Sequence, residues 1–510
     1  MISQPNIVLV LIDSLNRHML NAYGFPGVQT PHLDAFARRA TRFDRHFVGS
    51  LPCMPARREL FSGQKEFAWR PWGPLEPADP RLPRRLGARG YLTGIVTDHY
   101  HYWEEEANGY AESFQTSELI RGHETDRWKA RAAEDEPLPA WVEVIARYRP
   151  EEARQYYANV RDFRDETDYF PAQVFTAANG WLEANARRSP FFLQVESFDV
   201  HEPFDVPEPY ASLYADGGGR DRFNLWPPYQ NQADMRAFVE GASAEELDFV
   251  RAQYAAKLTM VDRWFGTLTE TLERLALWED TVVIVTSDHG HDLAERGRYG
   301  KGYPHHDTHA RIPLFLAHPD LPGGGTVDAL TSTVDLFPTL LDLGGVPHPP
   351  HHGRSLLGPL RGEGNGRRGL TYGSFGRGVV CTDGEWTLMK AQQRTAPLHY
   401  YSSMIYRSLV SDSVKVPVES GHFIPGVELP QWKVPVGDPG GGLDLLYHTA
   451  ADPGQTTDLW EQAPEERTRM LALMESLLRE EGAPEELFTR LGLRAGGPTL
   501  AVQPDGAAPC

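Results

Sequence analysis

Short apolar runs rich in β-branched residues, separated by long helical patterns, constrain the fold of this chain most. The first run, Asn6–Ile12, is apolar almost throughout, as expected for a strand that is buried on both faces of a sheet. Similar runs follow at Leu92–Val96, Pro190–Glu196, Thr281–Ser287 and Ile312–Ala317. These runs predict the strands of a sheet that is covered on both faces.

The clearest helical pattern lies between the third and fourth runs. Ser243 is followed three residues later by Glu246, which is the spacing of a capping box at a helix N-terminus. Apolar residues then recur every three or four positions from Val250 to Leu275, so one face of the helix is apolar throughout. Because helices alternate with buried strands, we predict an α/β fold with a mostly parallel sheet.

The character of the sequence changes after about residue 344. A segment rich in glycine and proline over 344–353 and a glycine-rich segment over 361–369 indicate loops, and shorter segments with turn signals follow them. We therefore predict a large α/β domain over residues 1–364 and a smaller α+β domain over 365–495. The composition of residues 496–510 predicts a flexible tail.

The composition excludes several classes of protein. The chain has 510 residues and a net charge of −20, which argues against nucleic acid as a partner but allows a local cationic pocket for one small anion. Three cysteines are too few for a disulfide framework. No apolar run reaches the roughly 18 residues of a membrane span, and the N-terminus lacks the features of a signal peptide. We expect a cytoplasmic protein without a membrane segment, and the sequence leaves its oligomeric state open.

Carboxylate and imidazole side chains follow four of the predicted strands. Because parallel strands end at the same edge of a sheet, we expect these side chains to meet at a ligand site there. They are Asp13 after the first strand, His99 and His101 after the second, His201 after the third, and Asp288 and His289 after the fourth. Asp13, Asp288 and His289 together suit Ca²⁺, Mn²⁺ or Mg²⁺ better than a structural zinc ion.

Five blocks of sequence, in a characteristic order, give the chain a resemblance to a known family. They are NIVLVLIDSL, TPHLDAFARRATRFDRHF, the Cys53–Gly63 block with its C-x-P-x-R pattern, TSDHG at Thr286–Gly290, and LYHTAADPGQTTDL at Leu446–Leu459. The chain resembles the type I sulfatases of the alkaline-phosphatase superfamily over nearly its whole length. The resemblance implies an alkaline-phosphatase-like α/β/α sandwich with a large mixed, mostly parallel sheet, and it makes residues 1–364 the catalytic domain.

The resemblance also implies a set of roles at the strand ends. Cys53 would be oxidised to formylglycine by a formylglycine-generating enzyme, and Arg57 would hold the hydrated aldehyde in place. His201 and Lys301 would contact the anionic group and the leaving oxygen of a small anionic ester. One divalent cation, Ca²⁺ or Mn²⁺, would be bound by Asp13, the formylglycine oxygen at Cys53, Asp288 and His289.

These roles imply the hydrolysis of a sulfate ester. One hydroxyl of the hydrate attacks sulfur, and a covalent sulfo-enzyme intermediate forms while the alcohol leaves, assisted by His201 or Lys301 as general acid. The second hydroxyl then expels sulfate by elimination and restores the aldehyde. The metal and the surrounding cations would stabilise the charge that develops on the leaving group.

Three features depart from the family pattern. Ser14 follows Asp13 where an acidic ligand is often found, which favours Mn²⁺ over Ca²⁺. Ala56 stands where a serine normally precedes Arg57, and members that act on phosphonate monoesters and phosphodiesters share this change. His99 and His101 have the spacing of the lysine and histidine of a missing Gly-Lys-Trp-His segment. They either replace those residues in the substrate pocket or belong to a rim loop.

Two other functions remain open from the sequence. A phosphonate monoester hydrolase or phosphodiesterase of the same superfamily is favoured by Ala56, and a non-catalytic, metal-stabilised binding protein would keep the fold with an unmodified Cys53. We expect substrate specificity to come from two long insertions between strands, Trp103–Tyr169 and Pro207–Ser243, which are rich in arginine, tyrosine and tryptophan. The sequence does not name the alcohol part of the substrate.

Overall fold

The computed structural model describes residues 4–104, 108–229, 232–364, 366–394, 397–404, 418–437 and 440–493. The predicted tail, residues 496–510, lies outside the described residues. An eight-stranded sheet forms the centre of the molecule. In spatial order its strands are β12 (Thr326–Val327), β2 (Thr41–Phe43), β11 (Leu314–Ala317), β8 (Thr281–Thr286), β1 (Asn6–Ile12), β7 (Phe191–Ser197), β5 (Leu92–Thr97) and β6 (Thr116–Leu119).

The predicted mostly parallel sheet is confirmed. Within the eight-stranded sheet, β11 pairs antiparallel with both of its neighbours, β2 and β8, and the other pairs are parallel. Strand β11 begins at Leu314 and not at Ile312, because Pro313 lacks the N–H that a strand ladder requires.

Helices cover the central sheet on both faces. The helices of this part of the chain are α1 (Pro31–Arg39), α2 (Cys53–Ser62), α3 (Leu82–Ala88), α4 (Ala140–Ala146), α5 (Pro150–Val160), α6 (Phe170–Asn185), α7 (Gln232–Gly241), α8 (Ala244–Arg274), α9 (Asp307–Ala310), α10 (Leu336–Gly344) and α11 (Leu357–Leu360). The alternation of side chains along β1 separates two cores. Val8 and Val10 pack with α1, α6 and α8, whereas Ile7 and Leu9 pack with α2, α3 and α10.

The predicted long helix is present as α8. Ser243 is its N-cap, and the Ser243 hydroxyl accepts a hydrogen bond from the backbone N–H of Glu246 at 3.1 Å. The apolar stripe is buried from Val250 through Leu272 against the sheet and against α6. This helix contributes no residue to the Cys53 cluster, but its Lys257 supports the loop that carries His201.

A second, five-stranded sheet lies in the C-terminal part. Its strands are β20 (Leu445–Tyr447), β16 (Thr387–Ala391), β15 (Gly378–Thr382), β14 (Leu370–Ser374) and β4 (Ser50–Leu51). Strand β4 comes from the N-terminal part and pairs parallel with β14, and Pro52 alone separates it from Cys53. Helix α12 (Pro464–Glu480) packs on this sheet, and α13 (Glu485–Arg490) follows. Cys381 is buried in β15.

Three small sheets complete the described structure. They pair β17 (His399–Ser402) and β18 (Glu419–Gly421) with β19 (Gln431–Pro435), β9 (Asp292–Leu293) with β10 (Tyr299–Gly300), and β3 (His46–Phe47) with β13 (Thr331–Ser332). Among the described residues, no helix is both long enough and apolar enough to cross a bilayer.

Candidate active site

Four side chains that the sequence places far apart meet at the carboxyl edge of the central sheet. Asp13 directly follows β1, Asp288 and His289 follow β8, and Cys53 is the first residue of α2. The possible ligand atoms of these four residues all lie within 4.8 Å of one another, and all four residues are buried. This is the group predicted from the sequence as the metal site.

Cys53 lies at the centre of this cluster. Its Sγ is 3.1 Å from His289 Nε2 and 3.8 Å from Lys301 Nζ. Burial, together with the negative charge of Asp13, raises the pKa of the Cys53 thiol well above its ordinary value. The unmodified thiol is therefore a poor nucleophile at neutral pH, although it begins a helix.

His289 presents one ring nitrogen to the cluster. Its Nδ1 lies 2.8 Å from the carbonyl oxygen of Gly290, so this nitrogen carries the proton and donates it. The lone pair of Nε2 then faces Cys53. A backbone carbonyl that accepts from the second nitrogen is the usual way in which a metal-binding imidazole is oriented.

Arg57 lies one helical turn after Cys53 and bonds three carboxylates at once. Its Nε donates to Glu196 Oε1 at 2.9 Å, its Nη1 to Asp288 Oδ2 at 2.6 Å, and its Nη2 to Asp13 Oδ2 at 2.9 Å. The Nη1 also donates to the carbonyl oxygen of Cys53 at 3.1 Å. The side chains of Arg57 and of its three carboxylate partners are essentially inaccessible to solvent.

The charges around Arg57 fit a divalent cation. One guanidinium faces three buried carboxylates, and Glu196 also accepts hydrogen bonds from the side chains of Thr97 and Tyr102. Burial and the charge of Asp288 raise the pKa of Asp13 well above its ordinary value. Burial acts in the same direction on Asp288, but the charges of His289 and Arg57 hold its pKa below the ordinary value. A cation between two carboxylates and an imidazole would remove the repulsion between Asp13 and Asp288.

His201 and Lys301 lie on the other side of Cys53. The ammonium of Lys301 contacts His201 Nε2 and lies 3.9 Å from Glu202 Oε2. The second ring nitrogen of His201, Nδ1, lies 3.0 Å from Glu124 Oε1 and 3.0 Å from Glu202 Oε2. Lys301 therefore lies next to the cysteine and also contacts His201.

Comparison with known proteins assigns the family. The family described as Sulfatase matches residues 5–346, which is more than half of the chain. The chain belongs to the sulfatase family. By class it is a sulfuric ester hydrolase. A curated relative, the choline-sulfatase of Rhizobium meliloti, is 24% identical over 356 residues, which cover 67% of this chain and 68% of the relative.

Solved structures share the fold of this sulfatase at low sequence identity. The phosphonate monoester hydrolase of Agrobacterium radiobacter superposes with a TM-score of 0.66 and 20% identity, covering 94% of this chain and 96% of the other. A protein solved with its substrate D-glucosamine-2-N,6-O-disulfate superposes with a TM-score of 0.62 and 16% identity, covering 94% and 98%. These similarities confirm the alkaline-phosphatase-like fold.

The two histidines that follow β5 lie in different surroundings. His99 is fully buried, with its Nε2 3.7 Å from Asp13 Oδ2, and burial lowers its pKa well below the ordinary value, so the ring is neutral at neutral pH. In the described part of the chain neither of its ring nitrogens has a hydrogen-bond partner. His101 is only partly buried, and its Nδ1 lies 2.6 Å from Glu104 Oε2.

Above Cys53 the sulfatase has a cavity of about 630 Å³. Its lining includes Cys53, His101, His201 and Lys301, so four of the residues predicted from the sequence are accessible from one space. Asp13, Arg57, Asp288, His289 and His99 lie behind this lining. The insertions over 103–169 and 207–243 both contribute to the wall, as expected for the parts that set specificity.

Several acidic residues of the site were missed by sequence reasoning. Glu196 lies in β7, where its run was interpreted only as a buried strand, and Glu202 and Glu124 hold His201. The sequence contained a signal for Glu196: Arg57 lies in a buried helix, and a buried arginine needs a buried acidic partner. No comparable signal marks Glu124, which comes from the insertion after β6.

The serine that replaces the expected second acid has a structural role. Ser14 adopts a left-handed backbone conformation, with φ of 60°, and its hydroxyl donates to Asp13 Oδ1 at 2.8 Å. Its backbone N–H donates to Asp288 Oδ1 at 3.1 Å. Ser14 therefore orients both carboxylates of the cluster.

Proposed function

We propose that this protein hydrolyses a sulfate monoester with a nucleophile made from Cys53. The observation that carries the proposal is the position of Cys53, which lies within the cluster of Asp13, Asp288 and His289 and also lines the cavity next to Lys301. A formylglycine hydrate at this position supplies an oxygen nucleophile and a second hydroxyl that can later release sulfate. The raised pKa of the thiol supports the need for such a modification.

The cluster supports one divalent cation, Ca²⁺ or Mn²⁺, held by Asp13, Asp288, His289 and the formylglycine oxygen, for which Cys53 Sγ stands in. When bound, the cation lowers the pKa of the hydrate and stabilises negative charge on the transferred group. Ser14 and Arg57 hold the two carboxylates, and Gly290 fixes the imidazole. These contacts preorganise the site before the cation arrives.

Lys301 and His201 are the groups that can deliver a proton to the departing alcohol. The Nζ atom of Lys301 lies 3.8 Å from Cys53 Sγ. His201, which also lines the cavity, contacts Lys301 through Nε2. Glu124 Oε1 and Glu202 Oε2 each lie 3.0 Å from His201 Nδ1. The pair is therefore arranged to bind the anionic ester and to protonate its leaving oxygen.

Maturation is part of the proposal. A formylglycine-generating enzyme must act on the segment around Cys53 before α2 packs, because Cys53 is 3% exposed in the folded chain. A reducing cytoplasm would keep the thiol available for this conversion.

Mass spectrometry of the tryptic peptide HFVGSLPCMPAR from the native host tests the proposal. We expect an aldehyde or its hydrate at Cys53, and a variant Cys53→Ala without sulfatase activity. The variant Cys381→Ala, which removes another buried cysteine, is the matched control and should keep its activity. A plain thiol at Cys53 in the native protein would refute the formylglycine mechanism and favour a non-catalytic, metal-stabilised binding protein.

A phosphonate monoester hydrolase or phosphodiesterase is the second candidate. Ala56, which is buried one residue before Arg57, and the structural likeness to a phosphonate monoester hydrolase favour it. Initial rates on an aryl sulfate and on the matching aryl phosphonate monoester separate the two functions. A preference for the phosphonate by several orders of magnitude would overturn the sulfatase assignment of the substrate.

A further inference from the structure

Both long insertions meet at one wall of the cavity above Cys53. Arg149 comes from the first insertion and immediately precedes α5, whereas Trp226 and Tyr229 come from the second. All three residues line the cavity together with Cys53 and Lys301. This wall therefore faces the alcohol part of any ester whose sulfate lies at Cys53.

The guanidinium of Arg149 lies between two aromatic rings. Its Cζ is 5.1 Å from the ring centroid of Trp226 and 5.2 Å from that of Tyr229. The residue is only 5% exposed. Aromatic faces hold the side chain in a fixed position, but they supply no hydrogen-bond acceptor.

Two donors of Arg149 have no hydrogen-bond partner in the part of the chain that the structure describes. Nε and Nη2 are buried, and no described residue accepts a hydrogen bond from either of them. A buried cation without an acceptor is costly, so an arginine in this state is arranged for an anion that arrives with a ligand.

In two other arginines of this protein, Nε and Nη2 both donate hydrogen bonds to a carboxylate. In Arg121, Nε and Nη2 donate to the two carboxylate oxygens of Asp126 at 2.7 and 2.6 Å. In Arg70 they donate to the two oxygens of Glu66, both at 2.6 Å. This edge of a guanidinium matches two oxygens of one oxyanion, such as a carboxylate or a sulfate.

Among the described residues, no acidic side chain of the cavity accepts a hydrogen bond from Nε or Nη2 of Arg149. Glu104 and Glu124 face the imidazoles of His101 and His201. Glu152 lies three residues after Arg149 and is partly buried, and no ion pair joins the two among the described residues.

Lys301, another cation of the cavity lining, lies against the same tyrosine. Lys301 Nζ is 5.3 Å from the ring centroid of Tyr229, which Arg149 approaches to 5.2 Å. The two cations are therefore separated by no more than the sum of these distances. One small alcohol can carry both an anion at Lys301 and an anion at Arg149.

We propose that Arg149 binds a second oxyanion on the alcohol part of the ester, so that the substrates are small sulfate esters with an additional carboxylate or sulfate. The inference rests on the proposed function, since it takes the sulfate at Cys53 as the first anion. The buried, bidentate edge of Arg149 selects such esters over neutral analogues of the same shape.

Equilibrium binding to the non-reacting variant Cys53→Ala tests this inference without turnover. The probes are aryl sulfates that carry a carboxylate at the meta or para position, each paired with the primary carboxamide of the same shape. In calorimetric titrations we expect at least one carboxylate to bind about 10- to 100-fold more tightly than its carboxamide, the range for a charge-assisted bidentate contact. Equal affinity within every pair would overturn the inference.

Three further variants in the Cys53→Ala background locate the effect. The preference should be lost in Arg149→Gln and retained in Arg147→Gln, which removes an exposed arginine two residues away. A preference that survives Arg149→Gln refutes the role of Arg149. If the carboxylate preference is seen only in Glu152→Gln, then Glu152 pairs with Arg149 in the unliganded protein. That result also refutes the role of Arg149. If Arg149→Gln does not fold, the affinity ratio of the Cys53→Ala protein decides.

Turnover separates this inference from the proposed function. Hydrolysis of the aryl sulfates by the matured enzyme with no carboxylate preference would refute the second subsite alone. Neither binding nor hydrolysis of any aryl sulfate would instead count against the sulfatase activity itself.

Discussion

Arg57 Nη1 lies 2.6 Å from Asp288 Oδ2, in a contact from which solvent is excluded on both sides. The same guanidinium bonds Asp13 and Glu196, so a single positive charge holds three strand-end carboxylates in place. Removal of one partner from a buried ion pair leaves an uncompensated charge and costs more than the pair itself contributes. Arg57 therefore stabilises the packing of these strand ends, in addition to its proposed role in the chemistry.

The substitution Arg57→Lys should therefore lower both stability and activity. A lysine keeps the charge but cannot reach three acceptors with a planar fork, and we expect a loss of about 3 to 5 kcal/mol in the free energy of unfolding. Sulfatase activity should fall by about 100-fold or more, since misplaced carboxylates would no longer hold the proposed cation. Urea unfolding and initial rates measure the two effects.

Arg58→Lys is the matched control for that experiment. Arg58 is buried in the same helix, but its partners are Glu66 and the carbonyl of Pro71, away from Cys53. It should lose stability and keep its activity per folded molecule. Equal losses of activity in both variants would contradict the assigned role of Arg57.

The central sheet was readable from the sequence because buried parallel strands are apolar without interruption. Asn6–Ile12 is a strand with the predicted bounds, and α8 begins where Ser243 predicts it. The direction of β11 was not readable, since an apolar run buried on both faces carries the same pattern in either direction. Strand β4 has two residues and no periodicity, so its place in the second sheet depends on tertiary pairing alone.

The site was readable in part for a related reason. Asp13, Asp288 and His289 directly follow strands, and the chain order alone brings them to one edge. Glu124 and Lys257 come from an insertion and from the middle of a long helix, where a charged residue usually faces solvent. Their burial next to His201 is decided by how these elements pack, which no local pattern encodes.

Removal of one carboxylate from the cluster should abolish metal binding. In the wild-type protein, added Ca²⁺ or Mn²⁺ should raise the midpoint of thermal unfolding, because a ligand that binds the folded state alone stabilises it by about 2.7 kcal/mol at 100 times its dissociation constant. The shift should vanish in Asp288→Asn. In Asp205→Asn, which alters a buried carboxylate paired with Arg220 outside the cluster, the shift should persist. A full metal shift in Asp288→Asn would place the cation elsewhere.

Lys257 should act as a positioning residue for His201. Its buried ammonium contacts Asp199 and donates to the carbonyl oxygens of His201 at 3.0 Å and of Pro203 at 2.6 Å. In Lys257→Met this loop loses its anchor, so we expect kcat to fall by about 10- to 100-fold while KM changes less. Lys129→Met removes an ammonium that bonds Asp162 on the surface and should change neither constant.

The two kinetic constants distinguish positioning from general destabilisation. A structural role alone would lower the concentration of active enzyme, and kcat per active site, titrated independently, would then stay at the wild-type value. A normal kcat per site in Lys257→Met would therefore contradict the positioning role.

Glu59 should make the stability of the protein depend on pH. It is buried in α2, and one carboxylate oxygen, Oε2, accepts hydrogen bonds from the backbone N–H and the hydroxyl of Ser50 at 2.8 and 2.7 Å. Burial raises its pKa from 4.5 to about 7, which outweighs these hydrogen bonds. The folded state therefore binds the proton more tightly than the unfolded state does.

The sign of the effect follows from that difference in proton binding. As the pH rises from about 4.5 to 7, the unfolded chain releases the proton of Glu59 first, so the stability falls through this window and stays low above it. Glu59→Gln imitates the protonated side chain and should remove this contribution, raising the free energy of unfolding above pH 7 by up to about 3 kcal/mol. Below pH 4.5 the variant and the wild-type protein should be nearly equal.

Urea unfolding at a series of pH values measures this difference directly. Other carboxylates titrate in both proteins, so the informative quantity is the free energy of Glu59→Gln minus that of the wild type at each pH. Glu118→Gln, at an exposed position of β6, should give a flat difference. A flat difference for Glu59→Gln as well would mean that the buried carboxyl ionises near its ordinary pKa, with Ser50 and Lys65 compensating for its burial.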